Sequence, residues 1–177
     1  MTTWEEALTN CHKAYLEKGG NSNAKVKNAH MWIKKKLGDV LGNDYTIFSL
    51  DNEKSKSKEI PIEGSLYTKK VDVAILKEQS PKGVVSFKYV ASNYSQNTNN
   101  YFENLIGECY NIQSMGIPFC HVLVMRNNMP YFEDSSNVKN NETITSVKIN
   151  KYLELLNQDN SACPKKISIN IININWK

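Results

Sequence analysis

The sequence predicts an α/β fold: a single domain with a central mixed β-sheet flanked by helices. Three observations lead there. The amino-terminal part keeps helical periodicity, the middle alternates short strand-like runs with turn residues, and one amphipathic helix lies between two apolar strands. No internal repeat and no linker interrupts the chain, so residues 1–177 are read as one domain. Within it, 1–42 form a helical pair, and 43–177 form a mixed sheet with a hairpin and a crossover helix.

Each element has its own signal. Thr3 followed three residues later by Glu6 is a capping box, and Trp4, Ala7, Leu8, Cys11 and Tyr15 keep helical spacing up to Gly19-Gly20. A second helix runs from about Asn23, with Val26, His30, Ile33, Leu37 and Leu41 on one side, to Gly42. Tyr45–Leu50 is strand-like, and DNEKSKSKE is a lysine-bearing loop. EIPIEGSLYTKKVDVAILK holds two extended pieces split around Gly64 and the Lys69-Lys70 pair, EQSPKG is a turn, and GVVSFKYV is the next strand. A polar loop follows, and a helix is expected from near Asn100, burying Phe102, Leu105, Cys109 and Ile112. IPFCHVLVM, apolar almost throughout, reads as a central strand covered on both faces. MPYFED is a shorter strand, KINKYLELLNQ a short helix, and KISINIININW a last strand of alternating Ile and Asn.

Bulk properties narrow the class. The apolar share is 40%, the charged share 23%, and no run is long enough to suggest a membrane span. MTTWEEALTN lacks the basic, apolar pattern of an export signal, so a cytoplasmic protein with reduced thiols and no membrane partner is expected. The four cysteines form no CxxC pair, and the three histidines are scattered, which removes a zinc reading. A formal charge of +4, supplied almost wholly by lysine, is compatible with a polyanionic partner.

The chemistry concentrates on the two strands around EQSPKG. Asp72 alternates onto one face of VDVAILK, and Ser86 and Lys88 share a face of VVSFKYV. In an antiparallel hairpin closed by three to five residues, paired positions sum to about 158–160. An even sum sets Asp72 across from Ser86 or Lys88, and a slip of one residue reverses the faces. Such a pair is either a cross-strand ion pair or the start of a metal site, with Asp supplying oxygen to Mg²⁺ and Lys stabilising charge on a phosphate. One carboxylate is a poor magnesium site. Glu103, in the first turn of the next helix, can supply a second, although Asn100 and Glu103 also have capping-box spacing. Glu108 is the substitute and Glu63 a weaker one. His121 reads as a core histidine.

Asp72 and Lys88, fifteen residues between them, together with Ser86-Phe87-Lys88, resemble the PD-(D/E)XK nuclease motif of type II restriction endonucleases. In one subgroup the strand keeps Ser-x-Lys and a Glu on the following helix replaces the second acid; Glu103 stands fifteen residues past Lys88. SNYSQNTNNYFENLIGE is similar to the segment after the lysine in such enzymes, and the resemblance spans roughly Glu63 to Met125. Val71 stands where the motif has Pro, and Ser86 where it has an acid.

The resemblance implies a restriction-endonuclease-like fold, with Mg²⁺ held by Asp72, Glu103 and the backbone carbonyl of Phe87. It also implies an activated water attacking the phosphorus in line while Lys88 aligns it and screens charge. Ser92, Asn93, Tyr94, Gln96, Asn97 and Asn99 lie where bases or phosphates can be contacted, and Lys54, Lys56, Lys58, Lys69 and Lys70 suit phosphates. One active site cuts one strand, so a duplex calls for a homodimer, or a heterodimer with a second nuclease subunit. A cognate DNA methyltransferase is the expected partner in the system. The alternatives are a structure-selective nuclease of the junction-resolvase kind and a non-catalytic DNA-binding module with a degenerate nuclease core.

Overall fold

A computed structural model describes residues 2–20, 22–50, 58–133 and 137–174. Lys54 and Lys56, and the end of the last expected strand at Trp176, lie outside them. Helix α1 (Trp4–Lys18) starts on Thr3, whose hydroxyl accepts from the Glu6 N–H while the Glu6 carboxylate accepts from the Thr3 N–H. Helix α2 (Ala24–Leu41) ends at Gly42, where φ is +76°. Next come β1 (Tyr45–Ser49), the hairpin β2 (Pro61–Glu63) and β3 (Thr68–Lys70), then β4 (Val73–Lys77) and β5 (Ser80–Val90). Helix α3 (Tyr94–Gln113) leads to β6 (Phe119–Arg126). A second hairpin, β7 (Asn128–Phe132) and β8 (Val138–Thr143), precedes α4 (Ser146–Leu156) and β9 (Lys166–Ile172).

The main sheet has the order β1-β4-β5-β6-β9, antiparallel through β1, β4 and β5 and parallel through β5, β6 and β9. Both parallel joins are crossovers, by α3 and by a segment ending in α4. Alternation along the strands divides the core in two. Val73, Phe87, Tyr89 and Val124 meet α1 and α2 through Leu8, Cys11, Ala29 and Ile33. Ala74, Val84, Val90 and Leu123 face α3 and α4 through Leu105, Cys109, Ile112 and Tyr152. The result is the mixed sheet between helices that the pattern predicts. The β7–β8 hairpin is a separate two-stranded sheet, and β8 carries no apolar alternation to announce it.

Two boundaries differ from expectation, each for a physical reason. The β4–β5 turn is only Glu78-Gln79, at φ 50° and 65°, although Pro81 and Gly83 are the stronger turn formers. Those two lie inside β5, where Pro81 sits at a bulge that leaves Lys82 as the extra residue. Helix α3 begins at Tyr94, six residues before Asn100, despite a run of weak helix formers. Burial of Tyr94 (1% exposed) in register with Tyr101, Leu105 and Cys109 outweighs their propensities. Asn100 and Glu103 are therefore mid-helix, and no capping box forms there.

The small hairpin is locked to α3 through Asn111, a fully buried amide. Its Oδ1 accepts from the N–H groups of Leu66 and Tyr67, and its Nδ2 donates to the Tyr67 carbonyl. Any Cβ on Gly64 would overlap this amide. Gly64→Ala is therefore expected to lower stability by about 1–3 kcal/mol, read as a lower urea midpoint. An unchanged midpoint would show that the hairpin is not fastened there.

Candidate active site

The hairpin register decides which side chains meet. Val73 pairs with Val85, so Asp72, one step beyond the strand, lies opposite Ser86. The bulge at Lys82 makes this so: without it, continuation of the Lys77–Ser80 pairing would set Asp72 opposite Val85, on the other face. On the far side, β5 and β6 pair Ser86 with His121 and Lys88 with Leu123. Asp72, Ser86, Lys88 and His121 therefore occupy one face, beneath α3.

They line a cavity of about 200 Å³, roofed by Tyr101, Leu105 and Glu108 of α3 and flanked by Lys69 and Lys70 of β3. The Asp72 carboxylate accepts the Phe87 N–H at 2.6 Å and a hydrogen bond from Ser86. Burial pushes its pKa up; those two hydrogen bonds and the charges of Lys69 and Lys88 pull the other way without cancelling the shift. Lys69 pulls more strongly than Lys88. Lys88, exposed, lies over the Tyr101 ring at 4.7 Å from its centroid. Lys69 Nζ is 2.6 Å from Glu108 Oε1, with both side chains largely covered.

Of the two helix acids, Glu108 is in the cavity and Glu103 is not. Glu103 is exposed, on the side of α3 that feels Lys151 of α4. The expectation that Glu103 returns to Asp72 rests on a helix starting near Asn100; with the start at Tyr94, it is Glu108 that turns toward the hairpin. Glu63 is exposed at the far end of β2, opposite Thr68, and does not line the cavity. A different acid comes close. Continuing the β2–β3 register past Pro61–Lys70 brings Glu59 opposite Asp72, and its pKa is raised by burial and then by Asp72. The spacing of EIPIEG and TKKVD holds this signal once the two are recognised as one hairpin.

His121, read from the sequence as a core residue, is buried but lines the cavity, and its Nδ1 has no hydrogen-bond partner among the described residues. Burial, with Lys88 adding to it, lowers its pKa to about 4, so the imidazole is neutral at pH 7.

The residues expected to read DNA are mostly occupied in holding the fold. Tyr94 is buried and its hydroxyl donates to the Lys148 carbonyl. Asn93, at φ 51°, donates to Gln96 Oε1 and the Phe132 carbonyl and accepts the Phe132 N–H. Asn97 donates to the Asn93 carbonyl, and Ser92 accepts from the Tyr15 hydroxyl. Gln96 and Asn99 are exposed on α3 itself, not on a loop. Lys69 is paired with Glu108, whereas Lys70 and Lys58 are exposed.

The donor chemistry can be tested against Mg²⁺. Asp72, Glu108 and the nearby Glu59 are hard oxygen donors, and the upward shift of Asp72 shows that its charge is incompletely balanced. A hydrogen-bonded residue in a sheet sends its N–H and C=O to the same neighbour, so the Phe87 carbonyl shares the Asp72 edge. Among the described residues, no three acid, histidine or cysteine side chains are grouped to hold a metal. The set fits a cation held by one or two carboxylates and completed by substrate oxygens, not a metal caged by protein alone.

No family model matches the chain, and neither does any curated protein or solved structure. Among the described residues, no helix is long and apolar enough to cross a membrane.

Proposed function

We propose that the protein is a Mg²⁺-dependent endonuclease that hydrolyses phosphodiester bonds of double-stranded DNA, of the type II restriction kind. The observation that carries this reading is the convergence of Asp72, Ser86 and Lys88 on one sheet face, with Glu108 across a small cavity. Asp72 and Glu108, with the Phe87 carbonyl, would hold the cation. Bound there, Mg²⁺ supplies Lewis-acid stabilisation of the phosphate and a water of lowered pKa.

The protein's own groups do the rest. The Phe87 N–H and Ser86 hold the Asp72 carboxylate in the cavity wall. Lys69 steadies Glu108. Lys88, exposed on the strand and steadied by the Tyr101 ring, meets the negative charge that grows on the phosphate oxygens. Cutting both strands then takes two such sites, supplied by a homodimer or a paired second subunit. A DNA methyltransferase protecting the host site would complete the system.

Incubation with plasmid and phage DNA tests this. Discrete fragments are expected with Mg²⁺ and none with EDTA. Cutting confined to branched DNA would instead indicate a resolvase-like enzyme. Binding without cutting, in Mg²⁺ or Mn²⁺, would indicate a DNA-binding module and end the nuclease proposal.

A further inference from the structure

We propose that a second backbone phosphate of the same DNA strand is seated between Lys25 and Lys88, in a groove that continues out of the cavity. The inference rests on the nuclease reading and extends it to substrate positioning. A depression of about 770 Å³ adjoins the cavity and shares Lys88 and Tyr101 with it. Tyr15 of α1, Gly20 of the turn and Lys25 of α2 also line it, together with Ser92 and Asn97. Among the described residues lining it, Lys25 and Lys88 are the only charged side chains, and none of the others is a carboxylate.

The local structure places Lys25 for this. Gly19, at φ +77°, reverses the chain after α1, and the Gly20 carbonyl then accepts a hydrogen bond from Lys25 Nζ. An ammonium has three donors, and among the described residues only one is used, by Gly20. Lys25 is half-buried, and its pKa is lowered by burial and then by Lys88, the mark of two like charges sharing one groove. An anion between them removes that repulsion. Because Lys88 borders both spaces, a strand whose reacting phosphate sits in the cavity has its neighbouring phosphate at the groove entrance. The contact is to backbone only, so it positions the strand without reading its sequence.

The test is binding of a labelled duplex by the full chain in EDTA, followed by fluorescence anisotropy across a salt series. Lys25→Ala is expected to weaken binding several-fold at low salt and to flatten the slope of log K against log salt by about 0.9, the loss of one phosphate contact. Lys25→Arg should keep the slope, and Lys35→Ala, a change on the exposed face of α2, should leave affinity and slope unaltered. Lys25→Gln, which retains a donor to Gly20, separates the lost charge from any disturbance of the turn. A Lys25→Ala or Lys25→Gln slope equal to that of the wild type overturns the phosphate seat, as does failure of the wild type to bind duplex. Plasmid cutting by the wild type in Mg²⁺ is scored separately, so an unaltered slope with normal cutting removes the groove alone. An altered slope without cutting supports the groove and removes the nuclease.

Discussion

Asp72→Asn is expected to abolish DNA cleavage while leaving DNA binding intact and raising the melting temperature in metal-free buffer. The amide keeps an oxygen to accept the Phe87 N–H, so the local fold persists, but the charge needed to hold a cation is gone. Cleavage should fall by at least about 10²–10³-fold. The thermal effect follows from the sign of the Asp72 shift. A carboxyl whose folded-state pKa is raised above its unfolded value binds its proton more tightly when folded. Above that folded pKa the ionised group costs stability, and the cost disappears as pH falls through it. Replacing the carboxylate with a neutral amide removes the same cost at pH 7. Lys88→Ala should also stop cleavage, without the gain in melting temperature. A supercoiled-plasmid assay, duplex anisotropy and a thermal melt read the three effects; normal cutting by Asp72→Asn would remove the site.

Glu108→Gln is expected to reduce cleavage by about 10²-fold, whereas Glu103→Gln should change it by less than about twofold. Glu108 lines the cavity beside Lys69, and Glu103 faces solvent near Lys151. Both substitutions keep the shape of the side chain, and both positions are on the same helix, so a general loss of helix stability would affect them alike. Matched plasmid assays over a Mg²⁺ series decide it. If Glu103→Gln is the dead variant, the second carboxylate comes from the other side of α3, and the cavity is not the reaction centre.

Much of the architecture could be read from particular residues. Thr3 with Glu6 marks the first helix start, Gly42 the second helix end, and the apolar run of Phe119–Arg126 the parallel strand at the heart of the sheet. These signals are local: each depends on a hydrogen bond or a burial pattern within a few residues of itself. The shared face of Ser86 and Lys88 was also legible from strand alternation, but the parity that sets Asp72 beside them was left open and was decided by the bulge at Lys82.

What escaped depends on contacts between distant segments. A run of Asn, Ser and Thr has no intrinsic reason to be helical, yet Tyr94 buries against α4 and carries the helix start with it, which exchanges Glu103 for Glu108 at the cavity. His121 joins the site only because β6 lies parallel to β5 in a register that sets it beside Ser86. Glu59 arrives through a hairpin whose loop is fastened by an amide more than forty residues away. The amino-acid order alone therefore determined the layers, most of the strands and the shared face of Ser86 and Lys88, since backbone hydrogen bonding and apolar periodicity act between near neighbours. Packing between helices and sheet decided which helix acid and which imidazole line the cavity, because side-chain burial across long chain separations outweighs the weak local preferences of the residues involved.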